Sequence, residues 1–226
     1  MSTLVLRLSA PLQSWGIDAT QRWRPTSRLP TRSGVVGMLN ACLGVPVGGR
    51  HSLTEDVELL VRVDRPGRVE EDYHTVTAPP ADVAASRQRA AHLRSRTGQS
   101  RQDWVVPVGN GSPWVVSNAV NTLITKRLML ADAEFILAIG SPDAEQLSAA
   151  VHTPVFTPYL GRKAYAPTFP FHLGVRDADP AAVLTTLAST SDGPKPVHRI
   201  DHDRISLLER AVVPHTPQPL IDWKTP

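Results

Sequence analysis

The chain of 226 residues contains a single cysteine, Cys42, so it cannot form an internal disulfide. No apolar run approaches the ~20 residues needed to cross a bilayer. The sequence also has no G-K-[ST] ending of a phosphate-binding P-loop and no G-x-S-x-G nucleophile elbow. These absences argue against a disulfide-framed secreted fold, a membrane-spanning helix and two large classes of hydrolase. We expect a cytoplasmic protein without a membrane partner, in which Cys42 is a small buried residue.

Metal and cofactor signals are also missing. His198 and His202 are spaced i, i+4, but no zincin glutamate and no cysteine accompanies them. We therefore predict no metal site and no cofactor. An apolar content of 41% and a charged content of 20% are typical of a soluble globular chain large enough for one large domain or two small ones.

Positive charge is unevenly distributed, although the net charge is only +3. The segment from Val83 to Gln102 contains no carboxylate, whereas acids collect in "TEDVELL" and "RVEEDY". Such segregation favours one surface that faces an anion. A solvated loop with a chance excess of arginine is the alternative. The arginines of this segment are Arg87, Arg89, Arg94, Arg96 and Arg101.

The order of predicted elements indicates an α+β fold. Alternating residues predict a strand over Thr3–Pro11, and Ser33 is a suitable N-cap for a helix from about Gly34 to Leu43 with Gly44 at C′. Two extended runs around "DRPG" predict a hairpin over 57–76.

Further along, "WVVSNAVNTLITKRLML" and "AEFILAIGSP" predict a second pair of strands, and "SPDAEQLSAAV" predicts a helix. A strand running into Val175 and another in "RISLLERAVV" complete the series. This order predicts a ferredoxin-like βαββαβ core with a smaller β-rich C-terminal part. The long Arg-rich segment in the middle has little apolar periodicity and is typical of a functional projection or a disordered segment.

The junction "RPTSRLPTRSGVVGMLNACLG" combines a basic loop with the start of a helix. Unpaired N–H groups and the positive end of the helix dipole attract anions at such a position. The alternative is that the two glycines only let the helix pack closely on the sheet. The candidate residues for binding a polyanion are Arg24, Arg28, Arg32, Ser33, Gly34 and Gly37.

Three shorter motifs offer further candidates. In "PLQSWG", Trp15 could stack on a base and Gln13 could read a base edge, although a Trp after a strand is often a lid on the core. In "DYHTV", Tyr73 and His74 could serve metal-free RNA cleavage, or they could be structural. The loop "TPYLGRK" suits phosphate contacts or is an ordinary surface turn; its candidates are Tyr159, Gly161, Arg162 and Lys163.

Together these motifs, in this order and spacing, resemble the RAMP family of CRISPR-associated proteins, and within it the CasD group from type I-E Cascade. The long helix-entrance motif is the most specific, and the resemblance extends from the first strand to about Gly174. It implies a ferredoxin-like, RRM-related domain over 1–76 and 118–175, a thumb over 77–117 and a C-terminal extension over 176–226.

The resemblance also implies partners. Members of this group hold the 5′ handle of the CRISPR RNA beside the backbone subunit CasC and the large subunit CasA, together with other Cascade subunits, and they meet target DNA through the complex. The Arg-rich segment would belong to the thumb. The helix entrance, Tyr73 and the Tyr159–Lys163 loop would touch the handle.

Two functional hypotheses follow from the resemblance. The first is a non-catalytic RNA-binding subunit that leaves the RNA intact. The second is a metal-independent endoribonuclease that processes the CRISPR precursor through Tyr73 and His74, because a related subtype uses Tyr, Lys and His in this way. A small-molecule enzyme of similar fold has no acid–base or cofactor signature and ranks last.

Overall fold

The computed structural model describes residues 2–17, 23–77, 104–107, 113–116, 122–202 and 204–214. The structure is α+β, with mostly antiparallel strands and few helices. None of the helices in these ranges is long and apolar enough to span a membrane. The chain divides into two compact units: Met1–Thr20, Arg24–Asp72 and Leu128–Pro226 form the first, and Gln21–Trp23 and Tyr73–Arg127 form the second.

A six-stranded sheet forms the centre of the first unit, in the order β10-β1-β9-β4-β11-β12. The bounds of these strands are β1 Ser2–Ser9, β4 Glu58–Arg65, β9 Glu134–Ser141, β10 His172–Arg176, β11 Lys195–Ile200 and β12 Ile205–Ala211. All five neighbouring pairs are antiparallel. The remaining described strands are β2 Leu12–Gln13, β3 Trp23–Arg24, β5 Arg68–Thr77, β6 Trp104–Pro107, β7 Pro113–Val116 and β8 Thr122–Ala131.

Both faces of this sheet are buried, which explains the continuous apolar runs in its central strands. Successive side chains of a strand point to opposite faces. On β1, Leu4 and Leu6 therefore join the larger core, whereas Val5 joins a smaller one on the other face. Helices α1 Arg32–Cys42 and α2 Ala144–His152 contribute to the larger core, and α3 Pro180–Thr186 contributes to the smaller one.

Helix α1 begins two residues earlier than its sequence predicts. Thr31, not Ser33, is the N-cap, and its hydroxyl accepts a hydrogen bond from the Gly34 N–H over 3.4 Å. The predicted C-terminal end is confirmed, because Gly44 has φ +78° just after the C-cap Leu43. The prediction for Cys42 is confirmed as well: the side chain is 1% exposed, and burial raises the pKa of its thiol to about 11.

The predicted hairpin over 57–76 is wrong. Both strands exist, but β4 pairs with β9 and β11, whereas β5 pairs with β8. The β4–β5 connection lies in close contact with the β8–β9 connection. Gly67 of the first connection has φ +66°, and a Cβ there would lie 2.6 Å from the Ala131 carbonyl oxygen. The two turns therefore pack against each other where neighbouring strands change partners.

The C-terminal region adds β11, β12 and α3 to the first unit. On the α3 side of β4, the fully buried Arg62 pairs with Asp64 over 2.7 Å. Its guanidinium also donates to the carbonyl oxygens of Leu184, Leu187 and Ala188, at and just beyond the end of α3. Carbonyl groups at a helix C-terminus lack intrahelical partners, and the buried arginine satisfies them.

Asp64→Asn should lower the free energy of unfolding by about 3–5 kcal/mol, because it leaves the buried Arg62 charge without its counter-ion. Urea unfolding measures the change. Glu58→Gln breaks the partly exposed Glu58–Arg199 pair, a contact of 2.7 Å, and should lower stability by less than about 1 kcal/mol. Equal losses in the two variants would contradict a structural role for the buried pair.

Helix α2 and strand β10 meet through His172. Its Nε2 lies 2.8 Å from the Ser148 hydroxyl, and its ring stands edge-on to His152 at 5.9 Å between centroids. Burial lowers the pKa of His172; the nearby His152 lowers it further, while Glu145 opposes the shift. The folded state therefore binds this proton more weakly than the unfolded chain does.

Stability should fall as the pH drops below about 6.5, because the unfolded chain takes up protons that the folded state resists. His172→Gln, which can keep the Ser148 contact, should lose less stability at low pH than the wild type does. The pKa of His198 is likewise lowered, by burial and by Arg210, so His198→Gln should also lose less. Urea midpoints between pH 5 and pH 8 would measure both effects, and wild-type slopes in both variants would contradict the prediction.

Candidate nucleic-acid interface

A cleft of about 310 Å³ opens on the first unit where three segments of the chain meet. One segment follows β2, the second is the basic loop that leads into α1, and the third is the loop between α2 and β10. The cleft is lined by Ser14, Gly16, Arg24, Pro25, Thr31, Ser33, Gly34, Gly161 and Arg162.

The first two segments are joined by hydrogen bonds around Trp15. The Trp15 N–H donates to the Thr26 hydroxyl over 2.8 Å, and the Ser27 N–H donates to the Trp15 carbonyl over 2.7 Å. A β-bridge between Gly16 and Thr26 continues this contact. The basic loop is therefore held against the segment that follows β2, and this places Arg24 at the cleft.

The start of α1 packs onto the same tryptophan. A Cβ on Gly34 would lie 2.9 Å from Cε3 of Trp15 and 3.1 Å from the Thr31 hydroxyl. Gly34 therefore allows the helix start to pack closely, which was the alternative interpretation of this glycine. It also lines the cleft. Ser33 is exposed beside it, so a hydroxyl stands at the first turn of the helix.

The third segment reaches the cleft through a backbone contact that only glycine allows. Gly161 has φ +92°, and a Cβ there would lie 1.6 Å from the Ser14 carbonyl oxygen. The Ser14 N–H donates to the Leu160 carbonyl over 3.0 Å. The loop is therefore fixed to the segment after β2, and Arg162 follows directly at the cleft wall.

The electrostatics of the cleft favour an anion. Arg24 and Arg162 come from separate segments and supply two guanidinium groups, and hydroxyls of the lining add hydrogen-bond donors. None of the nine lining residues is acidic. No group of three or more His, Cys, Asp or Glu in the described ranges is placed to hold a metal ion. The arrangement is suited to binding phosphate and sugar oxygens directly.

Two predicted contacts are wrong because their side chains belong to the core. Trp15 is 1% exposed, so it cannot stack on a base, and its indole N–H donates to Gln13 Oε1 over 3.2 Å. Gln13 is fully buried, and its Nε2 donates to the carbonyls of Leu8 and Ala133 over 3.1 and 2.8 Å. Both residues shape the cleft from beneath instead of lining it.

Arg32 also has a structural role that the sequence did not indicate. Its guanidinium donates to the carbonyl oxygens of Val57 and Glu55, each over 2.9 Å. These bonds tie the first turn of α1 to the segment before β4. The prediction that Arg32 binds a phosphate is therefore not supported by its contacts, and Arg32 is absent from the cleft lining.

The other predicted residues of the first unit stand outside the lining. Arg28, Gly37 and Lys163 are exposed, and Tyr159 is half-buried. Space around Gly37 is open, since a Cβ there would meet no atom within 4 Å. Contacts from these residues to RNA stay predictions.

The remaining candidates belong to the second unit. Tyr73 and His74 are both exposed on β5. Beyond Thr77, the predicted thumb is described only at β6 and β7, which pair antiparallel. Its arginines lie outside the described residues, namely Arg87, Arg89, Arg94, Arg96 and Arg101.

Sequence reasoning missed Ser14 and Gly16 as lining residues and Tyr165 and Asp72 as contacts of Arg162. The glycine in "PLQSWG" gave no signal through close packing, because a Cβ on Gly16 would meet no atom within 4 Å. Tyr165 carried no signal either, because its role depends on how the loop folds back on itself.

Comparisons with known proteins agree with one another. A family model described as "CRISPR-associated protein (Cas_Cas5)" matches residues 3–222. The Escherichia coli (strain K12) protein "CRISPR system Cascade subunit CasD" is 34% identical over 200 residues, which cover 81% of this chain and 75% of that protein.

Two solved structures are similar in fold. One, titled "CRISPR RNA-guided surveillance complex", has a TM-score of 0.61 and 31% identity, covering 91% of this chain and 76% of the other. The second, titled "Crystal structure of Cas protein", has a TM-score of 0.62 and covers 96% of this chain and all of the other; at 24% identity it shows the fold alone.

Gly161→Ala should destabilise the protein far more than Gly193→Ala. Both glycines have positive φ, +92° and +82°, so each substitution carries about 1–2 kcal/mol of backbone strain. Only at Gly161 would the new Cβ also collide with a main-chain atom, which should add about 1–3 kcal/mol. Thermal unfolding of the two variants measures the difference, and similar melting temperatures would show that the 160–165 loop is not fixed at Ser14.

Proposed function

This chain belongs to the CRISPR-associated Cas_Cas5 family, and from that premise we propose that it is the Cascade subunit that holds the 5′ handle of the CRISPR RNA without cutting it. The observation that carries the proposal is the cleft, which three segments line with two arginines, several hydroxyls and no acid. Such a lining suits a phosphodiester backbone because guanidinium groups bind phosphate oxygens bidentately.

Membership of a Cascade complex is supported by two relatives above 30% identity. One is named as a Cascade subunit, and the other is part of a structure titled as an RNA-guided surveillance complex. We assign the neighbouring backbone subunit CasC and large subunit CasA as protein partners, with target DNA reached through the assembled complex.

We interpret residues 1–76 and 118–175 as the ferredoxin-like RAMP core. The elements β1, α1, β4, β9, α2 and β10 follow the order strand–helix–strand–strand–helix–strand, and their sheet order β10-β1-β9-β4 is antiparallel throughout. The segment 77–117 is assigned as the thumb and 176–226 as an extension that widens the sheet through β11 and β12.

A non-catalytic role fits the chemistry of the cleft. Metal-free RNA cleavage needs a general base near the 2′-hydroxyl and an acid near the leaving oxygen. The cleft lining holds neither histidine, carboxylate, lysine nor tyrosine. Tyr73 and His74 are consecutive on β5, so their side chains project to opposite faces of that strand.

Arg24→Ala should weaken binding of handle-bearing RNA about three- to tenfold, because it removes one charged hydrogen-bond donor from the cleft. It should also reduce the slope of log affinity against log salt by about one. Fluorescence anisotropy of the full chain with labelled repeat RNA across a salt series gives both quantities.

Arg210→Ala is the matched control, since Arg210 is exposed on β12 and does not line the cleft. Equal binding by the Arg24 and Arg210 variants would remove the cleft as the RNA site. The same reactions, run with chelator on a denaturing gel, should show intact RNA. Cleavage that disappears on His74→Ala would establish the endoribonuclease instead.

A further inference from the structure

Arg162 is held at the cleft wall by two side chains outside the lining. Its Nη1 donates to the Tyr165 hydroxyl over 3.2 Å, and its Cζ lies 5.6 Å from the centroid of the Tyr165 ring. The Asp72 carboxylate also stands 4.0 Å from the same nitrogen. One guanidinium thus meets a neutral aromatic partner and an anionic one.

The aromatic partner is itself fixed. Tyr165 is 9% exposed, and its hydroxyl donates to the sulfur of Met129 over 3.4 Å while it accepts from Arg162. Its N–H donates to the Arg162 carbonyl and its carbonyl accepts from the Leu160 N–H, both over 2.8 Å. The position of the ring is therefore set by the 160–165 loop, which is itself bonded to Ser14.

This fixation matters because a free arginine samples many rotamers and loses them on binding. A guanidinium already held against a rigid ring keeps donors for a ligand and loses less conformational freedom. Tyr165 carries no charge, so it does not compete with an anion for the arginine.

Asp72 acts in the opposite direction. Its side chain is 45% exposed, and its 4.0 Å contact with Arg162 is at the outer limit of an ion pair. A phosphate bound to Arg162 would be repelled by this carboxylate at short range. The carboxylate therefore opposes an anion at the position that Tyr165 prepares.

We propose that Tyr165 is the positioning residue that presents Arg162 to an RNA phosphate in the cleft, and that Asp72 is the anion which that phosphate displaces. This inference rests on the proposed RNA-binding function and names the residues that set its strength. Tyr165 does not line the cleft, so its effect on RNA is exerted through Arg162.

The test is a double-mutant cycle on the full chain. The probe is a labelled RNA carrying the repeat-derived 5′ handle, compared with the same RNA in which the handle is scrambled. The variants are Arg162→Ala, Tyr165→Phe, Asp72→Asn and the two pairings with Arg162→Ala. Tyr165→Phe keeps the ring and the core volume, and thermal unfolding checks that each variant is folded.

Tyr165→Phe should weaken binding about three- to fivefold, because Arg162 loses the hydrogen bond that holds it, while the salt slope stays that of the wild type because the charge is retained. Asp72→Asn should tighten binding about two- to threefold, since it removes a repelling charge. In the Arg162→Ala background both effects should vanish, which a purely structural role of Tyr165 would not produce.

The outcomes separate the two proposals. If the wild type binds handle and scrambled RNA alike and Arg162→Ala changes nothing, the proposed function fails and this inference fails with it. If Arg162→Ala weakens binding but Tyr165→Phe does not, or if the effects of Tyr165→Phe persist without Arg162, only the positioning role is overturned. If Asp72→Asn still tightens binding in the Arg162→Ala background, the proposal that the phosphate displaces Asp72 from Arg162 is wrong.

Discussion

The cleft depends on one contact between two stretches of main chain, that of Gly161 with Ser14. No other amino acid fits there, because a side chain would occupy the position of the Ser14 carbonyl oxygen and φ is +92°. A hydrogen bond from Ser14 to Leu160 holds the same junction. Without it, Arg162 would have no fixed relation to the start of α1, and the two cationic walls would not face one ligand.

Beneath that contact, buried polar groups carry much of the architecture. The Trp15 indole N–H donates to the Gln13 side chain, and the Gln13 amide donates to the Leu8 and Ala133 carbonyls. These hydrogen bonds satisfy polar groups that are buried in the core. Arg32 serves carbonyls before β4, and Arg62 serves carbonyls at the end of α3. The protein thus uses some arginines as internal hydrogen-bond donors, whereas others, such as Arg24, are exposed to solvent.

The cleft rests on a rigid part of the fold. A sheet buried on both faces supplies a rigid base, and the cleft is built from loops at its periphery, where function commonly resides. Both walls of the cleft carry a cation on a segment anchored by main-chain hydrogen bonds. Under the proposed function, such anchoring reduces the ordering cost of binding a flexible RNA end and favours recognition of backbone shape over base identity.

The local pattern alone determined helix α1 with Gly44 just after its C-cap, the buried state of Cys42 and the presence of most strands, because these depend on periodicity, capping and steric freedom within a few residues. It left open whether Gly34 packs closely or binds an anion; the structure shows the close packing, and Gly34 also lines the cleft. Only the tertiary structure decided which strands pair, which arginines face solvent, and that Trp15 lies in the core. Those outcomes depend on partners more than ten residues away, such as Gly34 for Trp15 and Val57 for Arg32, and no local pattern contains them.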